Sequence, residues 1–280
     1  TSRIENGTVI LVDGRIVDLK KFPYVRKVPG IDGMENVLHG VTDKIQWKAI
    51  GGDESHIVLA ARLSDIKIGI EGIDNLAEVF GDVEVHVTYG LINGQFTSTV
   101  GVINLGSKSA ELSFGFHPFY KLGDTLDGWF ARVGAMRYWE TDSSQVPLKQ
   151  RPVSIIHTEY DMTLPKALNR AYEVGLTGFY GRAISSFTHS DGRRIEICQS
   201  DLYKNTMLWI PLGNPKLPAG IASFQPTTSS ANAINMSRAG ITEASPVVIA
   251  PGKSIVATWG LKFSPARVPI TSASRHAASA

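Results

Sequence analysis

The chain has 280 residues, of which 43% are apolar, and its 28 basic and 26 acidic side chains give a formal net charge of +2. Charges this evenly balanced create no field that would attract nucleic acid or an anionic membrane, so neither is expected as a partner. No stretch approaches the ~20 apolar residues of a membrane helix, and no signal peptide is recognisable. These absences favour a soluble protein of the cytoplasm or an organelle interior, and the single cysteine, Cys198, excludes an internal disulfide.

Strand-like runs alternate with turn signals along the whole chain. In chain order, the predicted strands cover residues 8–12, 56–60, 83–89, 96–104, 111–114, 182–187, 194–198, 206–210 and 254–259. The pairs Asp13-Gly14, Asn93-Gly94 and Asp191-Gly192 are strong hairpin signals. Residues 106–109 predict a further hairpin, between the strands at 96–104 and 111–114. The spacing predicts an all-β fold, a large antiparallel β-sandwich.

Helical periodicity is almost absent, and only short helical pieces are predicted, at residues 73–80 and 166–172. No repeat or linker divides the chain, so residues 1–264 are interpreted as one β-sandwich domain. Residues 265–280 are rich in Ser, Ala and Pro, and they are expected to form a flexible tail outside the core.

The most informative segment is residues 114–122, Phe-Gly-Phe-His-Pro-Phe-Tyr-Lys-Leu. The apolar residues before His117 predict a strand, and Pro118 favours an extended His117 and ends the ladder pairing there. A histidine held at the end of a strand is a candidate acid catalyst or ligand. On the pattern alone, the more frequent case is a structural histidine that is satisfied by a neighbouring side chain.

Four segments in order resemble the aldose 1-epimerase (galactose mutarotase) family. They are Ser2-Arg3-Ile4 with Asn6-Gly7; Asn36-Val-Leu-His-Gly40 with Trp47; Asn104 with His117-Pro-Phe-Tyr-Lys-Leu122; and Phe224-Gln-Pro-Thr-Thr-Ser-Ser-Ala-Asn-Ala233 with Ala250-Pro-Gly-Lys-Ser254. The resemblance extends from about Ser2 to Phe263, and it implies the galactose mutarotase-like supersandwich. The strands that precede the arginine in the family are missing, which suggests a shortened member or a chain whose beginning is not included.

The resemblance also implies a chemistry. Mutarotation needs a base that takes the anomeric hydroxyl proton and an acid that protonates the ring oxygen. By resemblance His117 is the acid, and Arg3 and His39 hydrogen-bond the sugar hydroxyls. Trp47 and Tyr120 would pack against the C–H faces of the sugar ring, although core packing is an equally good interpretation of both. The resemblance implies no metal or other cofactor.

Two departures from the family pattern bear on activity. Gln225 occupies the position of the family's glutamate base, and an amide has no useful basicity near neutral pH. The family's sugar-binding aspartate corresponds to Thr177 here. Three carboxyls near the motifs, those of Asp161, Glu173 and Glu243, are interpreted as solvated charges on loops. The sequence therefore predicts a cleft that binds a sugar with weak or no mutarotase activity.

Two functions remain open at this point. One is an aldose 1-epimerase-like isomerase that acts on a free hexose or related carbohydrate with a non-standard base. The other is a non-catalytic relative that binds carbohydrate or serves as a scaffold subunit for protein partners. Glycosidase chemistry lacks its paired carboxylates, and neither metal-ligand spacing nor a phosphate-binding loop is present. A sugar-phosphate epimerase would need a basic cluster at the cleft, and the sequence does not place Lys121, Arg170, Arg193 or Arg194 there.

Overall fold

A computed structural model describes residues 45–266, apart from residues 71, 142–146, 149, 156, 169–170, 180–182, 212–215 and 245, together with five short strands between residues 3 and 37. The strands are β1 (Arg3–Glu5), β2 (Thr8–Ile10), β3 (Ile16–Asp18), β4 (Lys27–Pro29), β5 (Glu35–Val37), β6 (Lys48–Gly52), β7 (His56–Arg62), β8 (Lys67–Ile70), β9 (Ile73–Asn75), β10 (Val83–Ile92), β11 (Gln95–Asn104), β12 (Ala110–Leu112), β13 (Tyr120–Lys121), β14 (Trp129–Arg132), β15 (Ala135–Trp139), β16 (Val153–Ser154), β17 (Glu159–Asp161), β18 (Tyr172–Phe179), β19 (Ala183–His189), β20 (Arg194–Gln199), β21 (Asn205–Ile210), β22 (Ile221–Thr227), β23 (Val247–Ile249) and β24 (Ser254–Ser264). The helices are α1 (Ala77–Phe80), α2 (Leu164–Leu168), α3 (Ala233–Arg238) and two 3-10 turns, Leu63–Asp65 and Thr242–Ala244.

Two large antiparallel sheets contain most of these strands. The nine-stranded sheet has the order β17-β14-β19-β20-β24-β11-β10-β7-β6, and the six-stranded sheet has the order β13-β22-β21-β18-β15-β16. Four smaller sheets, β1-β2-β3, β4-β5, β8-β9 and β12-β23, accompany them. The predicted fold class, antiparallel sheets with few short helices, is confirmed.

Turn chemistry explains the longest hairpin. Asn93 and Gly94 both have positive φ, 51° and 71°, and such a pair suits the twist of a two-residue hairpin loop. It joins β10 to β11 in one continuous register, from Ile92 opposite Gln95 to Val83 opposite Asn104. Asp191-Gly192 lies in the longer turn between β19 and β20, and of the two only Gly192 has a positive φ, 97°. Asp13-Gly14 lies outside the described residues.

The hairpin predicted at residues 106–109 is wrong. Both sides of β11 are already paired, with β10 and with β24, and β12 pairs instead with β23. The side-chain amide of Asn104 donates hydrogen bonds to the carbonyls of Lys108 and Ile249, each at 2.8 Å. These bonds connect the turn to β23. The chain after β11 therefore continues toward β23 and does not fold back against β11.

Both helical predictions were too long. The segment at 73–80 contains a strand, β9, followed by the single turn of α1. The segment at 166–172 contains only the end of α2, and Tyr172 already belongs to β18.

The main core lies between the two large sheets. Phe187 of the nine-stranded sheet and Phe224 of the six-stranded sheet meet there with ring centroids 4.6 Å apart, and Leu176 and Leu208 are fully buried beside them. Side chains alternate between the two faces of a strand. The sequence neighbours of Phe224, Leu176 and Leu208, Gln225 among them, therefore lie on the outer face of the six-stranded sheet.

Candidate active site

His117 lies on an extended segment at the edge of the six-stranded sheet. The described strand before it, β12, ends at Leu112, so His117 precedes β13 and is not at a strand end as predicted. The Phe116 amide donates to the Pro226 carbonyl at 3.0 Å, and the Ser223 hydroxyl donates to the Pro118 carbonyl at 2.6 Å. These bonds hold the backbone on both sides of His117 against β22.

The side chain of Gln225 reaches His117. Its Nε2 lies 3.1 Å from the Nε2 of the imidazole. In this orientation the amide donates to a neutral imidazole that carries its proton on Nδ1, and the flipped amide would offer its oxygen to a protonated Nε2. The amide can therefore hold His117 in either protonation state, but it cannot accept a proton.

Three rings form an aromatic cluster around this contact. The His117 ring lies 4.8 Å from Phe119 and 5.9 Å from Trp209, and Phe119 lies 5.9 Å from Trp209. Phe119 is 53% exposed, which is unusual for so large an apolar side chain. Exposed flat rings beside a polar group suit a ligand with both C–H faces and hydroxyls, as a sugar has.

Strand register extends the site across the sheet. Gln225 is directly opposite Met207, and Met207 is opposite Gly175. In the adjacent row, Trp209 is opposite Glu173. Residues directly opposite each other on antiparallel strands share a face. The outer face thus carries an imidazole, an amide, an indole and a carboxyl close together.

Glu173 was missed by the sequence analysis, which interpreted it as a solvated loop charge. It lies within β18 and is partly buried, and this burial raises the pKa of its carboxyl to about 7. No hydrogen bond or ion pair of this carboxyl occurs within the described part of the chain. The alternation of Glu173 with the apolar Val174 and Leu176 was the available signal for a strand with Glu173 on the opposite face.

The other two carboxyls are also not on loops. Asp161 is the last residue of β17, at the edge of the nine-stranded sheet. Glu243 lies in a 3-10 turn and pairs with Arg151 at 3.4 Å. Within the described part of the chain, no contact connects either carboxyl with the face that carries Gln225.

The remaining predicted site residues whose side chains are described are buried or pack against a core cluster. Thr177 shares the outer face through its pairing with Asn205, but it is buried and its hydroxyl donates to the Lys204 carbonyl at 3.0 Å. Trp47 packs against a second core cluster around Val87, and Tyr120 is buried between the large sheets, where burial raises its pKa. Arg3 lies in β1, with a side chain outside the described set, and His39 falls entirely outside it.

Neither a metal site nor a membrane-spanning helix occurs among the described residues. They contain no group of three or more His, Cys, Asp or Glu side chains that could hold a metal ion. None of the described helices is long and apolar enough to cross a membrane.

Solved structures share this architecture. A galactose mutarotase-like protein from Clostridium acetobutylicum superimposes with a TM-score of 0.65 at 16% identity, covering 94% of this chain and 76% of its own. The GalM/aldose epimerase homologue from C. elegans gives 0.67 at 14%, covering 95% and 81%. The galactose 1-epimerase from Lactobacillus acidophilus gives 0.63 at 13%, covering 95% and 78%. At such low identities the likeness shows the galactose mutarotase-like fold.

The family of the chain follows from its sequence. The sequence model of aldose 1-epimerase matches residues 2–262, so the chain belongs to the aldose 1-epimerase family. No curated protein matches it.

Proposed function

We propose that the protein binds a free hexose or a related carbohydrate on the outer face of the six-stranded sheet, with weak or no mutarotase activity. The supporting observation is the 3.1 Å contact between Gln225 and His117. The amide of Gln225, which the resemblance assigns to the position of the family's base, lies directly beside the candidate acid. Trp209, between His117 and Glu173, would form the floor under the sugar ring.

Mutarotation of a hexose requires two proton transfers at one ring. A base removes the proton from O1 while an acid protonates the ring oxygen O5; the C1–O5 bond breaks and a C1=O1 double bond forms. Rotation about C1–C2 and the reverse steps then give the other anomer. His117 would protonate O5, whereas Gln225 can only hydrogen-bond O1. A missing base lowers the rate on the order of a hundred- to ten-thousandfold.

If the protein retains some mutarotase activity, Glu173 is the residue that would act as the base. A pKa of about 7 suits a general base at neutral pH. Strands in a sheet lie about 4.8 Å apart, so β18 and β22, separated by β21, are about 10 Å apart. A sugar that lies on the outer face over β21 would have Glu173 on one side and His117 on the other.

Polarimetry tests the proposal. The optical rotation of freshly dissolved α-D-glucose and α-D-galactose is followed at pH 7 with the unmodified protein, Gln225→Glu, Glu173→Gln and the control Gln95→Glu, which adds the same charge at the exposed start of β11. We expect Gln225→Glu alone to accelerate mutarotation, by roughly a hundredfold or more over the unmodified protein. A slow activity of the unmodified protein that disappears in Glu173→Gln would assign the residual base to Glu173.

Two results would contradict the proposal. If the unmodified protein and Glu173→Gln both catalyse mutarotation rapidly, the conclusion that activity is weak or lost is wrong. If no variant is active and calorimetry detects no binding of either sugar, the carbohydrate function is wrong, and the alternative is a scaffold subunit.

A further inference from the structure

The strand neighbours of Glu173 cannot neutralise its charge. On the outer face of the six-stranded sheet, Glu173 is directly opposite Trp209, and the adjacent row contains Gly175 and Met207. Side chains directly opposite each other on antiparallel strands lie about 5 Å apart, so the closest neighbours of this carboxyl on β21 are an indole and a thioether. Burial raises the pKa of the carboxyl to about 7.

The basic side chains of this sheet are distant from Glu173. Among the residues of its six strands, only Arg137 and Lys121 are basic. Arg137 is opposite Thr177, four residues further along β18, so its backbone is about 13 Å from that of Glu173. Lys121 is in β13, three strands away from β18, at about 14 Å. When the carboxyl of Glu173 ionises, these strands therefore supply no cation to pair with it.

The indole ring opposite Glu173 also favours a positive charge. Trp209 makes edge contacts with His117 and Phe119, with ring centroids 5.9 Å apart in both cases, and it remains partly exposed. These contacts hold the indole in one orientation. Among aromatic side chains, an indole attracts a cation over its face most strongly. A carboxyl and an indole in neighbouring positions are therefore both suited to the same cationic group.

A hydroxyl and an ammonium group of a sugar differ in their effect on this carboxyl. A hydroxyl donates a hydrogen bond but leaves the desolvated negative charge in place, whereas an ammonium group donates hydrogen bonds and also neutralises the charge. The attraction between opposite charges is stronger in a partly buried site than in water, because the effective dielectric constant is lower there. The surroundings of Glu173 thus favour a ligand with an ammonium group over a neutral hexose.

We propose that the hexose bound at this face is an amino sugar. Its ammonium group, on C2, would contact the Glu173 carboxylate and the Trp209 ring, while the ring oxygen O5 would face His117. C2 is bonded to C1, so this orientation also keeps O1 on the side of the sugar that faces Glu173. The inference rests on the proposed hexose site, and it names the class of sugar that the site prefers.

Calorimetric titration at pH 7 tests this preference with D-glucosamine, D-glucose and N-acetyl-D-glucosamine, which carries a neutral amide on C2. The unmodified protein should bind glucosamine at least about tenfold more tightly than glucose, and N-acetylglucosamine no more tightly than glucose. In Glu173→Gln the ratio of the glucosamine affinity to the glucose affinity should fall to about one. Glu84→Gln removes a carboxyl from the outer face of the nine-stranded sheet and should keep the ratio of the unmodified protein.

The results that would overturn this inference differ from those that would overturn the hexose site. If the unmodified protein binds glucosamine and glucose equally, the preference for an amino sugar is wrong and the hexose site stands. A preference that persists in Glu173→Gln, or that is lost equally in Glu84→Gln, would show that the ammonium group contacts another residue. If none of the three sugars binds, the hexose site is itself wrong, and the inference fails with it. Circular dichroism of both variants confirms that the fold is intact.

Discussion

Charged side chains on the outer faces of the two large sheets differ in whether they have a partner of opposite charge. On the nine-stranded sheet, Glu84 pairs with His86 at 2.6 Å, and Arg62 pairs with Asp82 at 2.6 Å. On the six-stranded sheet, Glu173 has no such partner in the described part of the chain, and burial raises its pKa to about 7. Paired charges cost the fold little, whereas an unpaired and partly buried carboxyl lowers stability. Perturbed carboxyls of this kind are concentrated at functional sites, which favours the six-stranded sheet as the functional face.

The largest expected effect concerns two glycines, one for each sheet. A Cβ on Gly115 would lie 2.6 Å from the Pro226 carbonyl oxygen and 2.6 Å from the Thr227 side chain. Gly115→Ala should therefore push the His117 segment away from β22 and destabilise the protein by about 3 kcal/mol. A Cβ on Gly101, in β11 of the nine-stranded sheet, would meet nothing within 4 Å, so Gly101→Ala should change stability by no more than about 0.5 kcal/mol.

Urea denaturation measures both changes. Gly115→Ala should also reduce hexose binding, because the segment that it displaces carries His117. Equal stability of the two variants would show that the His117 segment is not held tightly against the sheet.

The second prediction is the pH dependence of stability that Glu173 confers. In the unfolded chain its pKa should be near the ordinary 4.5, against about 7 in the fold. Between these pH values the native state holds a proton that the unfolded state has released, so the free energy of unfolding falls as pH rises. The stabilisation is complete below pH 4.5 and is lost above about pH 7. Glu173→Gln should remove this fall and stabilise the protein at pH 8 by on the order of 2 kcal/mol, allowing for partial exposure.

The matched variant on the other sheet is Glu84→Gln. It breaks the partly exposed contact with His86, so it should destabilise the protein slightly, by less than about 1 kcal/mol. The measurement is urea denaturation of both variants between pH 5 and pH 8. If Glu173→Gln is less stable than the unmodified protein at pH 8, Glu173 has a charged partner and the contrast between the sheets disappears.

Local patterns were sufficient to predict the fold class. Alternation predicted the strands, and Asn93-Gly94 predicted the longest hairpin, because strand periodicity and turn geometry depend on neighbours in sequence. The hairpin at residues 106–109 failed for the opposite reason: the partner of β12 is β23, which is remote in sequence, and no local signal specifies it. Such pairings are decided by which strand edges remain free once the whole sheet has formed.

The candidate site was only partly predictable. His117 and Gln225 were identified from separate motifs, and in the structure they lie within hydrogen-bonding distance. Glu173 was missed because its burial and its position opposite Trp209 arise from the pairing of β18 with β21. Composition around a carboxyl does not reveal that a neighbouring strand will desolvate it.

The smallest predicted effect belongs to Trp209, the indole between His117 and Glu173. Trp209→Leu should weaken hexose binding roughly three- to tenfold, the worth of one aromatic contact. It should change folding stability little, because Trp209 is only partly buried on an outer face. Val256→Ala is the control, since Val256 is 64% exposed on the outer face of the nine-stranded sheet, and this variant should bind hexose normally. The measurement is calorimetric titration of both variants with glucose and galactose. Equal affinities of Trp209→Leu and Val256→Ala would show that the sugar does not contact Trp209, and the outer face of the six-stranded sheet would then not be the binding face.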